Sequence, residues 1–166
     1  MALNVRKLRW SPDEPEPVLA AEYRAELVAE DAYGLWLAAP LDGTFHLPDG
    51  TVDTVAGPNL QLFPLDQWWT AWWWAGENPQ ITVDICPPAV RDGNDLVWVD
   101  MALSVDLDAD DEVHVAEGAL EAITATSVIP AEDVNAAINS NIMITKRLRI
   151  GDPLFTVVGL RKLATL

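Results

Sequence analysis

The chain has 166 residues, half of them hydrophobic, and carries 26 acidic against 10 basic side chains for a formal net charge of −16. That balance excludes general disorder, and its field repels DNA, RNA and anionic lipid, so neither a nucleic-acid nor a membrane partner is expected. One domain spanning residues 1–166 is expected, long enough to bury a core. The single cysteine, Cys86, rules out an internal disulfide and fits the reducing cytoplasm. No segment reaches ~18 consecutive apolar residues, and no long apolar run follows Met-Ala-Leu-Asn-Val-Arg-Lys. A cytoplasmic location is the expectation.

Residues 3–10 open a β-rich first third and carry Arg6, Lys7 and Arg9. Ser11-Pro-Asp-Glu-Pro-Glu-Pro17 is an acidic proline loop that no helix or central strand tolerates. Residues 18–31 admit either a strand or a helix, because their alanines and glutamates leave propensity undecided. Tyr33-Gly-Leu-Trp-Leu-Ala-Ala-Pro40 reads as a strand closed by proline. Asp42-Gly43 and Asp49-Gly50 are hairpin signals on either side of Thr44-Phe-His-Leu. His46 and His114 read as surface or edge histidines, and no HxxxH or paired Cys–His spacing occurs.

Residues 60–74 are the most aromatic part of the chain. Alternation puts Trp72 and Trp74 on one face and Trp69, Ala71 and Trp73 nearer the other. Either these rings fill a core, or one or two line a cleft and stack on a planar ligand such as a nucleobase. Aromatic surface is also enriched at interfaces, which leans the expectation toward a homodimer.

Residues 81–117 alternate with period two. Ile81, Val83 and Ile85 share one face; Thr82, Asp84 and Cys86 share the other. After a polar turn, Met101, Leu103, Val105 and Leu107 share a face opposite Asp100, Ala102, Ser104, Asp106 and Asp108. Paired strands of this kind bring Asp84 and Asp100 together, where a divalent cation offsets the repulsion of two carboxylates. The alternative is a solvated outer sheet face. Residues 117–126 have helical spacing. A second helix opens at Pro130 with acids in its first turn and closes with Lys146, Arg147 and Arg149, as the helix dipole favours. Its inner stripe is read as Val134, Ile138, Ile142 (or Asn141), Thr145 and Leu148. The end of the chain, from Phe155, fits a docking strand or a last helix.

The blocks Asp31-Ala-Tyr-Gly-Leu-Trp36, Pro48-Asp-Gly-Thr51, Leu60-Gln-Leu-Phe-Pro64, Trp68-Trp-Thr-Ala-Trp72, Val83-Asp-Ile-Cys-Pro-Pro88 and Val99-Asp-Met-Ala-Leu103, in that order, resemble the DUF402 family. That family is also called FomD-like, and the likeness is greatest to its actinobacterial branch, over residues 28–155. The resemblance implies a mainly β fold: a single antiparallel β-barrel over residues 1–116 followed by a helical segment over residues 117–166. It also implies metal-dependent nucleoside di- or triphosphate phosphatase chemistry with Mg²⁺ or Mn²⁺, acting on a nucleotide or other phosphorylated small molecule. Carried over residue by residue, Asp84 and Asp100 are the catalytic acids. Asp84, Asp100 and Glu117 are the metal ligands, and Trp68 or Trp69 lines the base pocket.

The acidic motifs are eroded, however. Thr82-Val-Asp84-Ile keeps the acid of the family's first motif but loses its aromatic residue. Asp100-Met-Ala102-Leu-Ser104 keeps only the first of three acids, and Glu117-Gly-Ala-Leu keeps at most one. Asp106 and Asp108 lie further along the same face as Asp100. Phosphoryl hydrolysis of this type needs divalent ions held by several oxygens. The expectation is therefore hydrolysis that is weak or lost. The competing expectation is a non-catalytic small-molecule-binding or oligomeric interaction protein on the same barrel.

Overall fold

The computed structural model describes residues 1–76, 80–116 and 118–166. Its strands are β1 (Ala2–Arg9), β2 (Val18–Asp31), β3 (Gly34–Ala38), β4 (Thr44–His46), β5 (Val52–Thr54) and β6 (Leu60–Phe63). There follow β7 (Trp69–Trp73), β8 (Ile81–Ile85), β9 (Val90–Asp92), β10 (Asp95–Asp100), β11 (Ser104–Leu107) and β12 (Val113–Val115). Helices α1 (Ala119–Ala125) and α2 (Ala131–Arg149) come next. A π-helical turn, Leu154–Gly159, runs into a short α3 (Leu160–Leu163).

Tertiary pairing decides the elements that propensity left open. Residues 18–31 form a strand because they pair along β1 on one side and β3 on the other, with Tyr23 and Ala25 inward and Glu22, Arg24 and Glu26 outward. The β2–β3 turn is fixed by Asp31, whose Oδ1 accepts the Tyr33 backbone N–H and the Trp36 indole N–H, both at 2.9 Å. Gly34 sits at φ +138° with the Phe63 carbonyl packed against its Cα, so any side chain there would collide with backbone. The last segment is helical, not a strand.

The strands join in one sheet of order β12-β11-β8-β7-β6-β3-β2-β1-β10-β9, with β4 and β5 attached beside β2. Two features correct the expected antiparallel barrel. The sheet is mixed, because β1 and β10 run parallel, joined through the many strands between them. It is also not closed, since its order ends at β12 and β9. The chain instead changes partner between β10, paired with β1, and β11, paired with β8. At that crossing Ala102 adopts φ +59°, Met101 N–H donates to the Ile85 carbonyl at 3.0 Å, and Ile85 N–H donates to Leu103 at 2.8 Å. The crossing brings the end of β10, with Asp100, beside the end of β8, with Asp84.

Alternation along the strands feeds two separate cores. Trp36, Trp69, Trp73, Val83 and Ile85 pack with Ile144, Leu148 and Phe155 from the C-terminal segment. Their neighbours in sequence, Leu37 and Trp72, belong instead to a second core with Leu3, Val5, Tyr23, Leu96 and Trp98. The buried stripe of α2 is Ala137, Ser140, Asn141, Ile144 and Leu148. Of the two alternatives read for its middle, Asn141 is buried and Ile142 exposed, and the stripe is corrected at Val134, Ile138 and Thr145, which are only half-buried. Small residues at Ala137 and Ser140 let the helix lie close on the sheet, and Ser140 Oγ donates to the Trp68 carbonyl at 2.9 Å. Arg147 of the basic last turn pairs with Asp152 at 2.7 Å and lies over the Trp69 and Phe155 rings.

Candidate functional site

Asp84 stands on the face of β8 turned away from the helices, opposite Thr70 of β7 and Ser104 of β11. With Tyr23, Trp72, Trp74, Trp98 and Lys7 it lines a cavity of about 300 Å³ on the second-core side of the sheet. The cavity walls take the Asp84 carboxyl out of bulk water, and that loss of hydration pushes its pKa up to about 7. Lys7 and a hydrogen bond from Trp72 pull the other way, whereas the charges of Asp100 and Asp106 push it further up. Burial also raises the Cys86 thiol, and the charges of Asp84 and Asp100 reinforce that shift.

Lys7 belongs to β1, in register with Trp98 of β10, and its ammonium lies 4.9 Å from the centre of the Trp98 ring. Its Nζ is 2.8 Å from Asp100 Oδ2. Burial lowers the Lys7 pKa, but the negative charges of Asp84 and Asp100 outweigh it, so it rises above the ordinary lysine value. The other oxygen of Asp100, Oδ1, accepts the Ala102 backbone N–H at 2.8 Å. Asp100 is thus held through both oxygens.

Asp100 also borders a second and larger cavity of about 520 Å³, between the start of the proline loop and α1, where Arg9, Trp10, Ala102, Ile123 and Ile129 line the wall with it. Lys7 faces one cavity and Arg9 the other. Residues at successive odd positions on a regular strand share a face. The register between β1 and β2 shifts between Lys7 and Leu8, the irregularity that lies between these two side chains.

The structure brings Asp84 and Asp100 to the same place, around Lys7. Glu117, the third expected metal ligand, lies outside the described residues. Trp69 is 2 % exposed and packs on Phe155 with ring centres 5.5 Å apart, with the Arg147 guanidinium also over its ring. Trp68 is half-buried, and its carbonyl accepts Ser140 and the Cys86 N–H. The tryptophans that do line the cavity beside Asp84 are Trp72, Trp74 and Trp98, with Trp72 and Trp74 stacked at 4.6 Å. Asp106 stays near Asp84, and its Oδ1 is buried with no hydrogen-bond partner among the described residues. Asp108 has left the site. It closes the β11–β12 turn by accepting the N–H groups of Asp110 and Glu112, each at 2.9 Å, and holds His114 Nε2 at 2.7 Å.

Donor atoms of Asp108, Glu112 and His114 lie within 4.8 Å of one another, so a three-donor set for a metal exists on that exposed turn. The Asp84–Asp100 pair is different. A divalent cation needs free carboxylate oxygens, and there Asp100 has both oxygens engaged while an ammonium already supplies the positive charge. As arranged, these residues do not fit the ion that the eroded motifs would hold. Lys7 and Arg9 were visible in the sequence as basic residues on one strand of a strongly acidic chain. Their proximity to Asp84 and Asp100 depends on the parallel β1–β10 pairing, which no local pattern shows.

No sequence model of a protein family matches the chain, and none of the curated proteins matches it in sequence. Solved structures do. The chain superposes on the phosphatase SC4828, solved with the non-hydrolysable nucleotide GPCP, at a TM-score of 0.68 and 15% identity, covering 95% of this chain and 87% of that one. It superposes on FomD, solved with CDP, at a TM-score of 0.70 and 13% identity, covering 94% of this chain and 90% of FomD. The fold is shared. At such identities the likeness is one of architecture, and it extends over nearly the whole chain, helices included.

Proposed function

We propose that the chain is a FomD-like protein of the DUF402 type that binds a nucleotide or another phosphorylated small molecule, and that its metal-dependent hydrolysis is weak or lost. The observation that carries this reading is the state of Asp100, the one acid kept from the family's second motif. Both of its oxygens are engaged, one by Lys7 and one by the Ala102 N–H. Hydrolysis of a phosphoanhydride needs charge stabilisation spread over several oxygens and a water made acidic by a metal. An acid locked to an ammonium supplies neither.

Binding asks for less. The cavity beside Asp100 offers the guanidinium of Arg9 for a phosphate and the ring of Trp10 for a planar group. Inorganic phosphate release from a panel of nucleoside di- and triphosphates, with Mn²⁺ and then Mg²⁺, tests the reading against an Asp84→Ala/Asp100→Ala control. The expected result is no release above the control. Release that disappears in the control would show that the remaining acids suffice and that the chain is a working phosphatase.

A further inference from the structure

The sheet ends at β12, and among the described residues no strand lies beyond it. Backbone bonding fixes which of its groups point outward. The Leu107 carbonyl accepts the Gln80 N–H at 3.0 Å, on the β8 side, and the Asp108 N–H donates to the Glu112 carbonyl at 3.1 Å, on the β12 side. Bonded and non-bonded pairs alternate along an antiparallel ladder, so His114 bonds inward to its partner Asp106, while the peptide groups of Val113 and Val115 face outward. Helix α2 packs beside this strand, and a groove of about 410 Å³ lies between them, where Val115, Asn141, Ile142, Lys146, Arg149 and Ile150 form the wall. The groove shares no residue with the two cavities described above. Ile142 and Ile150 are 60 % and 71 % exposed. Lys146 and Arg149 make no ion pair among the described residues, although the chain has 26 acids. Asn141 is 3 % exposed, and its amide nitrogen is buried with no hydrogen-bond partner among the described residues. The helix dipole accounts for cations in the last turn of α2. It accounts neither for a buried amide left unpaired nor for two isoleucines in water beside it, since buried polar groups are normally hydrogen-bonded.

We propose that this groove is a docking site for an extended acidic segment of a partner protein, which adds to β12 as a further strand. Each part of the groove asks for one part of that occupant. The ammonium of Lys146, the guanidinium of Arg149 and the unpaired amide of Asn141 are all donors, and they call for carboxylate and carbonyl oxygens. Val115, Ile142 and Ile150 call for an apolar side chain beside the acid. The outward peptide groups of Val113 and Val115 call for a backbone, as in the addition of a peptide to a sheet edge. At physiological salt charges are screened beyond about 8 Å, so the two cations in the wall, and not the acids on the rest of the surface, set the local preference. The chain's own exposed acidic loop does not suit the edge, because Pro12, Pro15 and Pro17 have no N–H to give a ladder.

The test selects a random heptapeptide library, displayed on phage, against the full chain. The enriched peptides are synthesised and titrated by calorimetry. They are expected to combine acidic and apolar residues and to contain no proline in the bound stretch. Lys146→Gln/Arg149→Gln changes only exposed or half-exposed side chains and should weaken their binding about tenfold, as two ion pairs of moderate strength would. Ile142→Ser and Asn141→Leu should each weaken it as well, and Ile142→Ser, at an exposed position, keeps the test open if Asn141→Leu does not fold. Hydrogen exchange should show the Val113 and Val115 amides protected in the complex. No enrichment, or enriched peptides without acids, would overturn the proposal. So would binding that Lys146→Gln/Arg149→Gln leaves unchanged, or a complex in which the Val113 and Val115 amides still exchange freely. A dimer in sedimentation velocity that the same double variant dissolves would put a second copy of the chain in the groove and overturn the assignment to a partner protein. The inference is independent of the nucleotide reading, since none of these measurements involves a nucleotide or a metal.

Discussion

The Trp73 indole N–H donates to the Phe155 carbonyl at 2.9 Å, which ties β7, a strand buried along its whole length, to the C-terminal π-helical turn. The ring reaches that carbonyl because Gly159, one turn further on, has no side chain. A Cβ built there would overlap the indole of Trp73. Trp73 and Phe155 are both fully buried, so the ring has nowhere to retreat.

Gly159→Ala therefore has a diagnostic sign. Gly159 has ordinary helical torsions, φ −61° and ψ −45°, where alanine in open space would stabilise by roughly 0.5–1 kcal/mol. Overpacking against Trp73 is expected to destabilise by about 1–3 kcal/mol instead. Urea denaturation at equilibrium measures it. A gain in stability would mean that the C-terminal turn does not close on the sheet as described.

A second prediction concerns the polar chain inside the second core. Trp98 Nε1 donates to Tyr23 Oη at 3.2 Å, Tyr23 Oη donates to Gln61 Oε1 at 2.7 Å, Gln61 Nε2 donates to Thr70 Oγ1 at 3.1 Å, and Thr70 Oγ1 donates to the Leu62 carbonyl at 2.8 Å. Every member is buried, and burial drives the Tyr23 pKa far up, so the phenol stays a donor. Tyr23→Phe keeps the shape but strands Gln61 Oε1 and the Trp98 indole N–H. The expected loss is about 1–3 kcal/mol, because a buried group left unpaired costs more than the bond it made. Tyr23→Phe/Gln61→Leu removes both ends of the shortest link and should recover part of that loss. A double variant less stable than the single one would argue against the network.

The fold was legible in the sequence where local pattern and tertiary role agree. The period-two run at residues 81–85 became a strand, the Asp-Gly pairs became turns, and Pro130 opened α2, whereas the run over 96–107 became two strands, 95–100 and 104–107, with different partners. It was not legible where the decision is non-local. Residues 18–31 became a strand only because β1 and β3 flank them. The parallel pairing of β1 with β10 has no sequence signature at either strand. The two faces of β7 could be read, but not that both are buried, Trp72 in one core and Trp73 in the other. The same limit applied to the site. Asp84 and Asp100 were identifiable as acids on one kind of face, whereas the cation between them comes from residue 7, brought there by a pairing across 91 positions of sequence, as between Asn4 and Asp95.

Asp84 makes stability depend on pH in a known direction. Loss of hydration raises its carboxyl to about 7 in the folded chain, above its unfolded value, so between those two values the folded state binds more protons than the unfolded one. Stability from this group is thus present at low pH, falls as pH rises from the ordinary carboxylate range through about 7, and is flat above that. Asp84→Asn removes the charge and keeps the shape. Its melting temperature relative to the parent should rise between pH 5 and pH 8, roughly the span over which the parent carboxyl ionises. Asp31, Asp108 and Asp152, whose pKa values are lowered, have the opposite dependence but are common to both proteins and cancel in the difference. A difference that does not change with pH would mean that Asp84 is not held out of water.

The last prediction separates the positive charges in the two cavities. If Arg9 holds the phosphate of a ligand and Lys7 has taken over the charge balance at Asp100, nucleotide binding needs no divalent ion. A nucleoside diphosphate should then raise the melting temperature equally with excess Mg²⁺ and with EDTA, since a ligand that binds only the folded state stabilises it in proportion to its occupancy. Arg9→Ala should remove that shift without lowering the melting temperature of the free protein, because Arg9 is exposed and among the described residues makes none of the ion pairs that tie the fold together. Isothermal titration in the two buffers gives the same comparison as a dissociation constant. A shift seen only with the ion would place metal back in the ligand complex. A shift unaffected by Arg9→Ala would move the anion to the other cavity, beside Lys7, where Trp74 and Trp98 supply the aromatic wall.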